Sequence, residues 1–176
     1  MSRLVVTPLS QLVQQIELHR PSHMVTLTSG AVPALPDGFR AKRLNLVFND
    51  IVEPHEGLVM PDANNVRQLL DFARLWKRKA PLLIHCYAGI SRSTAAAYIL
   101  ANALDPASDE TALAKQLRVL SPSATPNIRL VSLADAILER EGRMVRAIQA
   151  IGRGADAFEG ESFSLPVAGS TPLRLH

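Results

Sequence analysis

The 176-residue sequence contains one cysteine, few aromatic side chains and no long apolar run. A single cysteine cannot form a disulfide within the chain, so we expect a reducing compartment, the cytoplasm. The longest apolar run, 95–101, is much shorter than the roughly 20 residues that cross a bilayer. No charged and then apolar leader opens the sequence. We therefore expect neither secretion nor membrane insertion.

The sequence also has no large excess of charge of one sign, since the formal net charge is only +3. Aromatic residues make up 5% of the chain and do not alternate with basic residues, which argues against a nucleic-acid-binding surface. Only four of the 19 basic residues are lysine. Arginine suits the recognition of phosphate and carboxylate groups, but GC-rich genomes favour it too, so this bias alone indicates no ligand.

Hydrophobic residues make up 47% of the sequence, enough for a core, and they predict strands that alternate with helices. The predicted strands are 3–9, 23–29, 43–50 and 81–86. The predicted helices begin at Ser10 and Asp62 and then cover 92–104, 109–120 and 127–141. This order predicts an α/β fold with a central, mostly parallel sheet and helices on both faces. We expect one domain over 1–151 and a C-terminal tail over 152–176, where Gly, Ser and Pro dominate.

Two groups of basic residues fit the predicted helices. The basic stretch 74–79 ends a helix, where positive charge complements the helix dipole. Arg140, Arg143 and Arg146 recur at helical spacing, a pattern typical of a helix face exposed to solvent. Neither group indicates a partner.

The stretch "IHCYAGISRSTAAAYIL", 84–100, places the cysteine between a strand-like run and a helix-like run. Cys86 ends the strand, five residues follow, and Arg92 opens the helix. Ligands of open α/β sheets bind beyond the carboxyl ends of the strands. A helix N-terminus presents unpaired N–H groups and a partial positive charge, which favour an anion and stabilise a thiolate. The pattern indicates a cysteine nucleophile beside an anion site.

The residues of the loop complete the predicted site. Gly89 lets the loop curl so that successive amides point inward, and Arg92 offers a planar fork to two phosphate oxygens. The amides come from Tyr87, Ala88, Gly89, Ile90 and Ser91. A thiolate and a phosphate cradle in one loop predict phosphoryl transfer through a covalent intermediate. A buried cysteine that merely fills space would explain Cys86 but not its neighbours.

The stretch "HCYAGISRS" resembles the His-Cys-x5-Arg-Ser/Thr signature of the cysteine-dependent protein tyrosine phosphatases, and it is closest to their compact dual-specificity-like branch. "AAAYILANAL" resembles the helix behind that loop, and "SPSATPNIRLVSLADAIL" resembles the later helix opened by Pro-Asn. The chain is also similar to a bacterial group of predicted tyrosine phosphatases over about residues 41 to 140. The resemblance implies a phosphotyrosine phosphatase-like fold and a phosphomonoester hydrolase that requires no metal or other cofactor.

The resemblance also implies roles for single residues. Cys86 attacks phosphorus, while Arg92 and the loop amides hold the equatorial oxygens. Ser93 hydrogen-bonds the sulfur and eases its departure, His85 fixes the loop, and Asn127 supports the loop from behind. Judged by residue type alone, Asn127 also fits a helix N-cap and His85 a buried core histidine.

The general acid is the least specific part of the prediction. Asp50 ends the predicted strand 43–50 and lies in the sequence region where the family places its acid, so we assign the role to it. Competing groups in the same segment are Glu53, His55, Glu56 and Asp62. Asp62 fits a helix cap better, and the others fit an exposed loop. The segment does not match the Trp-Pro-Asp form of the family.

The uncharged loop residues Tyr87, Ala88 and Ile90 argue against multiply phosphorylated lipids as substrates. We expect phosphotyrosine in a protein, or another aryl phosphate. Tyr87 either lines the mouth of the pocket or packs on the sheet. Two other functions stay open: a phosphate-binding module with impaired catalysis, and a rhodanese-like sulfurtransferase. The sequence predicts no oligomeric state.

Overall fold

A five-stranded β-sheet forms the centre of the computed structural model, which describes residues 2–168. Its strands are β1 (Arg3–Pro8), β2 (His23–Thr28), β3 (Lys42–Val47), β4 (Leu82–Cys86) and β5 (Phe163–Pro166). Their order across the sheet is β3-β2-β4-β1-β5, and only the β1–β5 pair is antiparallel. The predicted mostly parallel sheet is confirmed.

The parallel register brings the carboxyl ends of three strands to one edge of the sheet. Pro8 of β1 pairs with Cys86 of β4, and Thr26 of β2 pairs with His85. Strand β4 lies in the middle of the sheet with every residue buried, which explains its apolar run 82–84. The loops that follow these strands therefore meet at the edge where Cys86 lies.

Helices cover both faces of the sheet, as predicted. They are α1 (Leu12–His19), α2 (Ala63–Arg74), α3 (Arg92–Leu104), α4 (Glu110–Leu120), α5 (Ile128–Ile137) and α6 (Arg143–Ile151). Leu4 and Val6 of β1 pack into the larger core with α2–α6, whereas Val5 points to the other face, against α1. None of these helices is both long and apolar enough to span a bilayer.

Side-chain caps fix where three of the helices begin. Asp62 and Asn65 form a reciprocal capping box at α2, which confirms the predicted start of that helix. Asp109 accepts a hydrogen bond from Ala112 N at the start of α4, and Asn127 does the same for α5 through Leu130 N. The predicted capping function of Asn127 is thus confirmed.

The C-terminal part of the chain differs from the expected pattern. The helix predicted over 127–141 ends at Ile137, and α6 begins after Gly142, whose φ is +80°. Within the segment 152–176 predicted as a tail, Phe163–Pro166 form β5 at the edge of the sheet. Four residues are too short a run to predict a strand, and the partner β1 lies at the other end of the sequence. Residues 169–176 of the predicted tail lie outside the described residues.

The predicted exposed arginine face is wrong for Arg140, which is buried. Arg140 donates to Glu110 at 2.7 Å and to the carbonyl of Asn102 at 2.8 Å. Burial alone would raise the pKa of Glu110, but the hydrogen bonds from Arg140, from backbone and from Arg143, together with the charge of Arg143, outweigh it and the pKa falls. Because breaking a buried pair leaves an uncompensated charge, this pair holds α4 in a fixed position against the end of α5.

Candidate active site

Cys86 ends β4 at the carboxyl edge of the sheet and is 3% exposed. Its Sγ accepts a hydrogen bond from Gly89 N at 3.3 Å and is hydrogen-bonded to Ser93 Oγ at 3.1 Å. The chain therefore curls around the sulfur between the strand and α3. The structure brings Cys86, Gly89 and Ser93 together, as the sequence predicts.

The carbonyl groups of this loop point away from the sulfur. The carbonyls of Tyr87, Ala88, Ile90 and Ser91 accept hydrogen bonds from residues outside the loop. Every peptide bond here is trans, so the N–H that follows each carbonyl points the opposite way. The amides of residues 88, 89, 91 and 92 therefore turn towards the inside of the loop. Converging amides of this kind form an anion-binding nest.

Outside residues hold the loop on several sides. Leu9 N donates to the carbonyl of Tyr87 at 3.0 Å, and Gly160 N donates to the carbonyl of Ala88 at 2.7 Å. Thr125 N donates to the carbonyl of Ile90, also at 3.0 Å. These bonds come from distant parts of the sequence and fix the loop before any ligand binds.

The N-terminus of α3 lacks a side-chain cap. Ser91 is the N-cap residue, but its hydroxyl makes no capping hydrogen bond and donates instead to Asp50. The first amides of α3 therefore keep their hydrogen-bonding capacity for a ligand. With the positive end of the helix dipole beside the sulfur, this end of α3 suits an anion.

Arg92 lies in the same cleft as Cys86 and is 7% exposed. Its Nη1 donates to Ser29 Oγ at 2.7 Å and to the carbonyl of Phe48 at 3.0 Å. Its Nε is buried and has no hydrogen-bond partner within the described part of the chain. A buried donor without a partner is costly, so a bound oxyanion would be strongly favoured here.

His85 lies one residue before the sulfur and is 2% exposed. Its Nε2 is hydrogen-bonded to Thr26 Oγ1 of the neighbouring strand at 2.8 Å. Burial is the main cause that lowers the pKa of His85 to about 4, and the charge of Arg43 adds to it. His85 is therefore neutral at physiological pH and ties β4 to β2.

Asp50 lies beside the loop and is not among the residues that line the cleft. Its Oδ1 accepts hydrogen bonds from Ser91 Oγ and from Asn127 Nδ2, each at 2.8 Å. Its Oδ2 accepts no hydrogen bond from any donor within residues 2–168. The backbone N–H of Asn127 also donates to the carbonyl of Ser91 at 3.2 Å. The structure thus joins Asp50, Ser91 and Asn127 in one hydrogen-bond network beside the loop.

The cleft over Cys86 has a volume of about 470 Å³. Apolar side chains of Leu9, Leu27 and Pro33 form part of its wall. Tyr87 also lines the cleft and is 63% exposed, which favours a place at its mouth over packing on the sheet. The cleft is large enough for a small organic ligand.

Sequence reasoning did not identify Ser29, Thr26 or Gly160. Ser29 directly follows β2 at the carboxyl edge of the sheet, so the rule that placed Cys86 there could also have identified Ser29. Thr26 is an ordinary strand residue by its sequence context. Gly160 packs so closely against the loop that a Cβ at this position would lie 2.8 Å from the carbonyl oxygen of Gly89. No sequence pattern signals that contact.

Among residues 2–168 no group of three or more His, Cys, Asp or Glu side chains is placed to hold a metal ion. The site as described consists of a sulfur, inward amides and a guanidinium group. The roles of single residues stay predictions.

No family model matches the sequence, and no curated protein matches it. Several solved structures are similar. The crystal structure of DUSP15 is 18% identical, with a TM-score of 0.61, over 84% of this chain and 90% of that chain. The Yvh1 phosphatase domain from Chaetomium thermophilum is 17% identical, with a TM-score of 0.59, over 80% of this chain and 93% of that one.

A third similar structure is PTPMT1 in complex with PI(5)P. It is 14% identical, with a TM-score of 0.58, over 84% of this chain and 93% of that chain. At these identities the likeness shows the fold. The chain has the α/β fold of the dual-specificity and tyrosine phosphatases.

Proposed function

We propose that the chain is a cysteine-dependent phosphomonoester hydrolase, specifically a protein tyrosine phosphatase. We place it in the compact dual-specificity-like branch, within the bacterial group of predicted tyrosine phosphatases. The observation that carries this proposal is the buried, unpartnered Nε of Arg92 in the same cleft as the sulfur of Cys86. Inward amides and an uncapped helix N-terminus lie beside it. Together they offer positive charge and donors to a tetrahedral dianion.

In the proposed first step, the thiolate of Cys86 attacks phosphorus and the bond to the leaving oxygen breaks. Arg92 and the loop amides hold the three other oxygens, where charge is concentrated in the transition state. Water then attacks the phosphocysteine, releases inorganic phosphate and restores the thiolate. Ser93 Oγ, 3.1 Å from the sulfur, donates to it as the sulfur leaves.

Asp50 is the proposed general acid of the first step and base of the second. Ser91 and Asn127 hold its Oδ1, which leaves Oδ2 to carry the transferred proton. Because Asp50 lies beside the cleft, segment 49–61 moves towards the leaving oxygen when substrate binds.

The proposed substrate is phosphotyrosine in a protein, or another aryl phosphate. Apolar side chains such as Leu9, Leu27 and Pro33 suit an aromatic ring next to the phosphate. PTPMT1, a similar structure, was crystallised in complex with PI(5)P. The loop 86–92 of this chain has no basic residue other than Arg92, which favours a single phosphate group.

We place the enzyme in the cytoplasm, because a thiolate nucleophile stays reduced there. The proposal involves no cofactor, nucleic acid or membrane, and the partner is the phosphorylated protein itself.

The test is hydrolysis of an aryl phosphate by the purified chain. We expect turnover in wild type, none in Cys86→Ser, and a phosphate-labelled Cys86 after rapid acid quenching. Asp50→Asn should lower kcat on the order of 100-fold for substrates with poor leaving groups and much less for good ones. Full activity of Cys86→Ser would overturn the proposal.

The position of Asp50 outside the cleft supports a second candidate function, a phosphate-binding module with impaired catalysis. Such a module would bind phosphotyrosine peptides in both wild type and Cys86→Ser and hydrolyse none of them. A sulfurtransferase would instead move sulfur from thiosulfate to cyanide. Running the three assays on one preparation separates the three functions.

A further inference from the structure

A second cleft opens at the other edge of the sheet, where β2, β3 and β4 begin, and we call it the basic cleft. Its volume is about 450 Å³. Four cationic side chains line it: Arg40, Lys42, Lys77 and Lys79. No acidic side chain lines it. The volume is that of a small-molecule site.

The four cations have no counter-ion in the part of the chain that the structure describes. Among residues 2–168, none of them lies within 4.0 Å of a carboxylate, whereas the nearby Arg74 pairs with Asp71 at 2.7 Å. None of the four side chains donates a hydrogen bond within this part of the chain either. Like charges that converge without a counter-ion repel one another, and a bound anion relieves that repulsion.

One residue that lines the basic cleft also carries a buried polar atom that has no hydrogen-bond partner within residues 2–168. His23 begins β2, lines the cleft and is 6% exposed. Its Nδ1 is hydrogen-bonded to Ser22 Oγ at 3.0 Å, while its Nε2 is buried and unpartnered. Ser22 Oγ also lies 3.5 Å from the carbonyl of Ala80, so its one hydrogen goes either there or to Nδ1. When it goes to Nδ1, Nε2 carries the ring hydrogen and is a free donor. Burial, assisted by the charge of Lys42, lowers the pKa of His23, and a bound anion would raise it.

The helix dipole does not account for the lysines of this cleft. Helix α2 ends at Arg74, so Lys77 and Lys79 lie in the turn beyond its C-cap, Leu75. Leu75 also lines the cleft and is 66% exposed. The surface therefore combines unpaired positive charge with an exposed apolar side chain.

We propose that the basic cleft binds a small soluble anion that carries more than one phosphate group. Lys42, Lys77, Lys79 and Arg40 contact the phosphate oxygens, and Nε2 of His23 donates to one of them. Strand β2 separates this cleft from the one over Cys86 by roughly 16 Å, since a strand rises about 3.3 Å per residue. The basic cleft is therefore a separate site, and the proposal stands whether or not the chain is a phosphatase.

The test is titration of the full chain with tripolyphosphate, followed by NMR of carbon-13-labelled histidine. The ring signals of His23 and His85 report separately on the basic cleft and on the cleft over Cys86. We expect the His23 signal to shift in a saturable way and its pKa to rise. In Lys77→Gln/Lys79→Gln the affinity read at His23 should fall about tenfold, from the loss of two charge contacts.

The matched control is Arg67→Gln/Lys115→Gln, which removes two exposed charges away from the cleft. Its affinity should stay within about twofold of wild type. Equal weakening in both double variants would show that net charge alone attracts the anion and would overturn the proposal. An unmoved His23 signal would overturn it too, as would binding only to vesicles that contain phosphatidic acid, which would indicate a membrane surface instead.

Discussion

Gly89, in the loop between Cys86 and Arg92, has a backbone that leaves no room for a side chain. Its φ is +68°, and a Cβ there would lie 2.8 Å from Pro8 N. Gly89→Ala combines a left-handed conformation, which costs roughly 1–2 kcal/mol, with a clash against backbone. The loop must shift, so we expect kcat/KM for an aryl phosphate to fall at least about tenfold.

The variant Gly38→Ala separates the cost of the left-handed backbone from the effect of the clash with Pro8. Gly38 has a φ of +80°, but a Cβ at this position would meet no atom within 4 Å. Urea denaturation should therefore show a comparable backbone cost in Gly38→Ala, while kcat/KM stays near wild type. Equal activity of both variants would mean that the contact with Pro8 does not shape the loop.

His85 makes stability depend on pH. Its pKa of about 4 in the folded chain lies below the ordinary value of 6.5, so the unfolded chain binds more protons between these values. The stability from neutral, buried His85 is complete above pH 6.5 and is lost as the pH falls towards 4. The shift corresponds to about 3 kcal/mol.

The measurement is urea denaturation of wild type and His85→Gln from pH 4 to pH 7.5. His19 and His23 also have lowered pKa values, but they are present in both proteins, so the difference isolates His85. We expect the stability gap to narrow as the pH falls. A constant gap would mean that His85 does not titrate in this range.

Single residues with strong chemistry were predictable from the sequence, and their partners were not. Cys86, Gly89 and Arg92 follow one another at a spacing that the loop requires. Ser29 and Thr26 reach the same site from another strand. These contacts between distant segments cannot be read from the sequence, apart from the general rule that the carboxyl ends of parallel strands lie at one edge of the sheet.

Helix α5 connects its own N-cap to the candidate acid. The side chain of Asn127 accepts from Leu130 N and donates to Asp50 at 2.8 Å. Asn127→Ala should cost about 1 kcal/mol of folding free energy through the lost cap. It also releases Asp50, so we expect kcat to fall on the order of tenfold, a part of what acid catalysis contributes.

Asp109→Ala is the matched variant, since Asp109 caps α4 through Ala112 N and has no hydrogen bond to the loop. Thermal denaturation should show similar losses in both variants, and steady-state kinetics should show a lower kcat in Asn127→Ala alone. If both variants lose kcat equally, Asn127 acts only through stability.

Elements with sharp ends were predicted better than those set by tertiary contacts. The cap at Asp62 fixed the start of α2. The helix predicted over 127–141 was too long, since α5 ends at Ile137, and α6 was not predicted. Glu139 and Glu141 adopt positive φ in the intervening turn, a conformation that glutamate does not signal in a sequence. The buried pair of Arg140 and Glu110 was not predicted. The spacing of the arginines in the sequence does not show that Glu110 of α4 lies opposite Arg140.

Strand β5, which comes from near the far end of the sequence, completes one edge of the sheet. Leu165 of β5 pairs with Leu4 of β1 and is 1% exposed. Leu165→Ala should lower the free energy of unfolding by roughly 2–5 kcal/mol, as for other buried leucines. Leu18, 68% exposed on α1, provides the comparison, and Leu18→Ala should change stability by less than about 0.5 kcal/mol in the same urea denaturation experiment.

If the two leucine variants prove equally stable, β5 is not part of the cooperative unit. The four parallel strands could be predicted because each contains several apolar residues within its own short segment. Strand β5 could not, since its four residues gain their stability from β1 rather than from their own pattern.

Helix α3 is buried along almost its whole length, with little water around its axis. Mobile ions screen a surface charge over about 8 Å at physiological ionic strength, but they do not enter a dry interior. The electrostatic attraction between the N-terminus of α3 and a phosphate beside Cys86 should therefore persist in concentrated potassium chloride. The lysines of the basic cleft stand in open solvent, and their attraction should fade as the same salt is added.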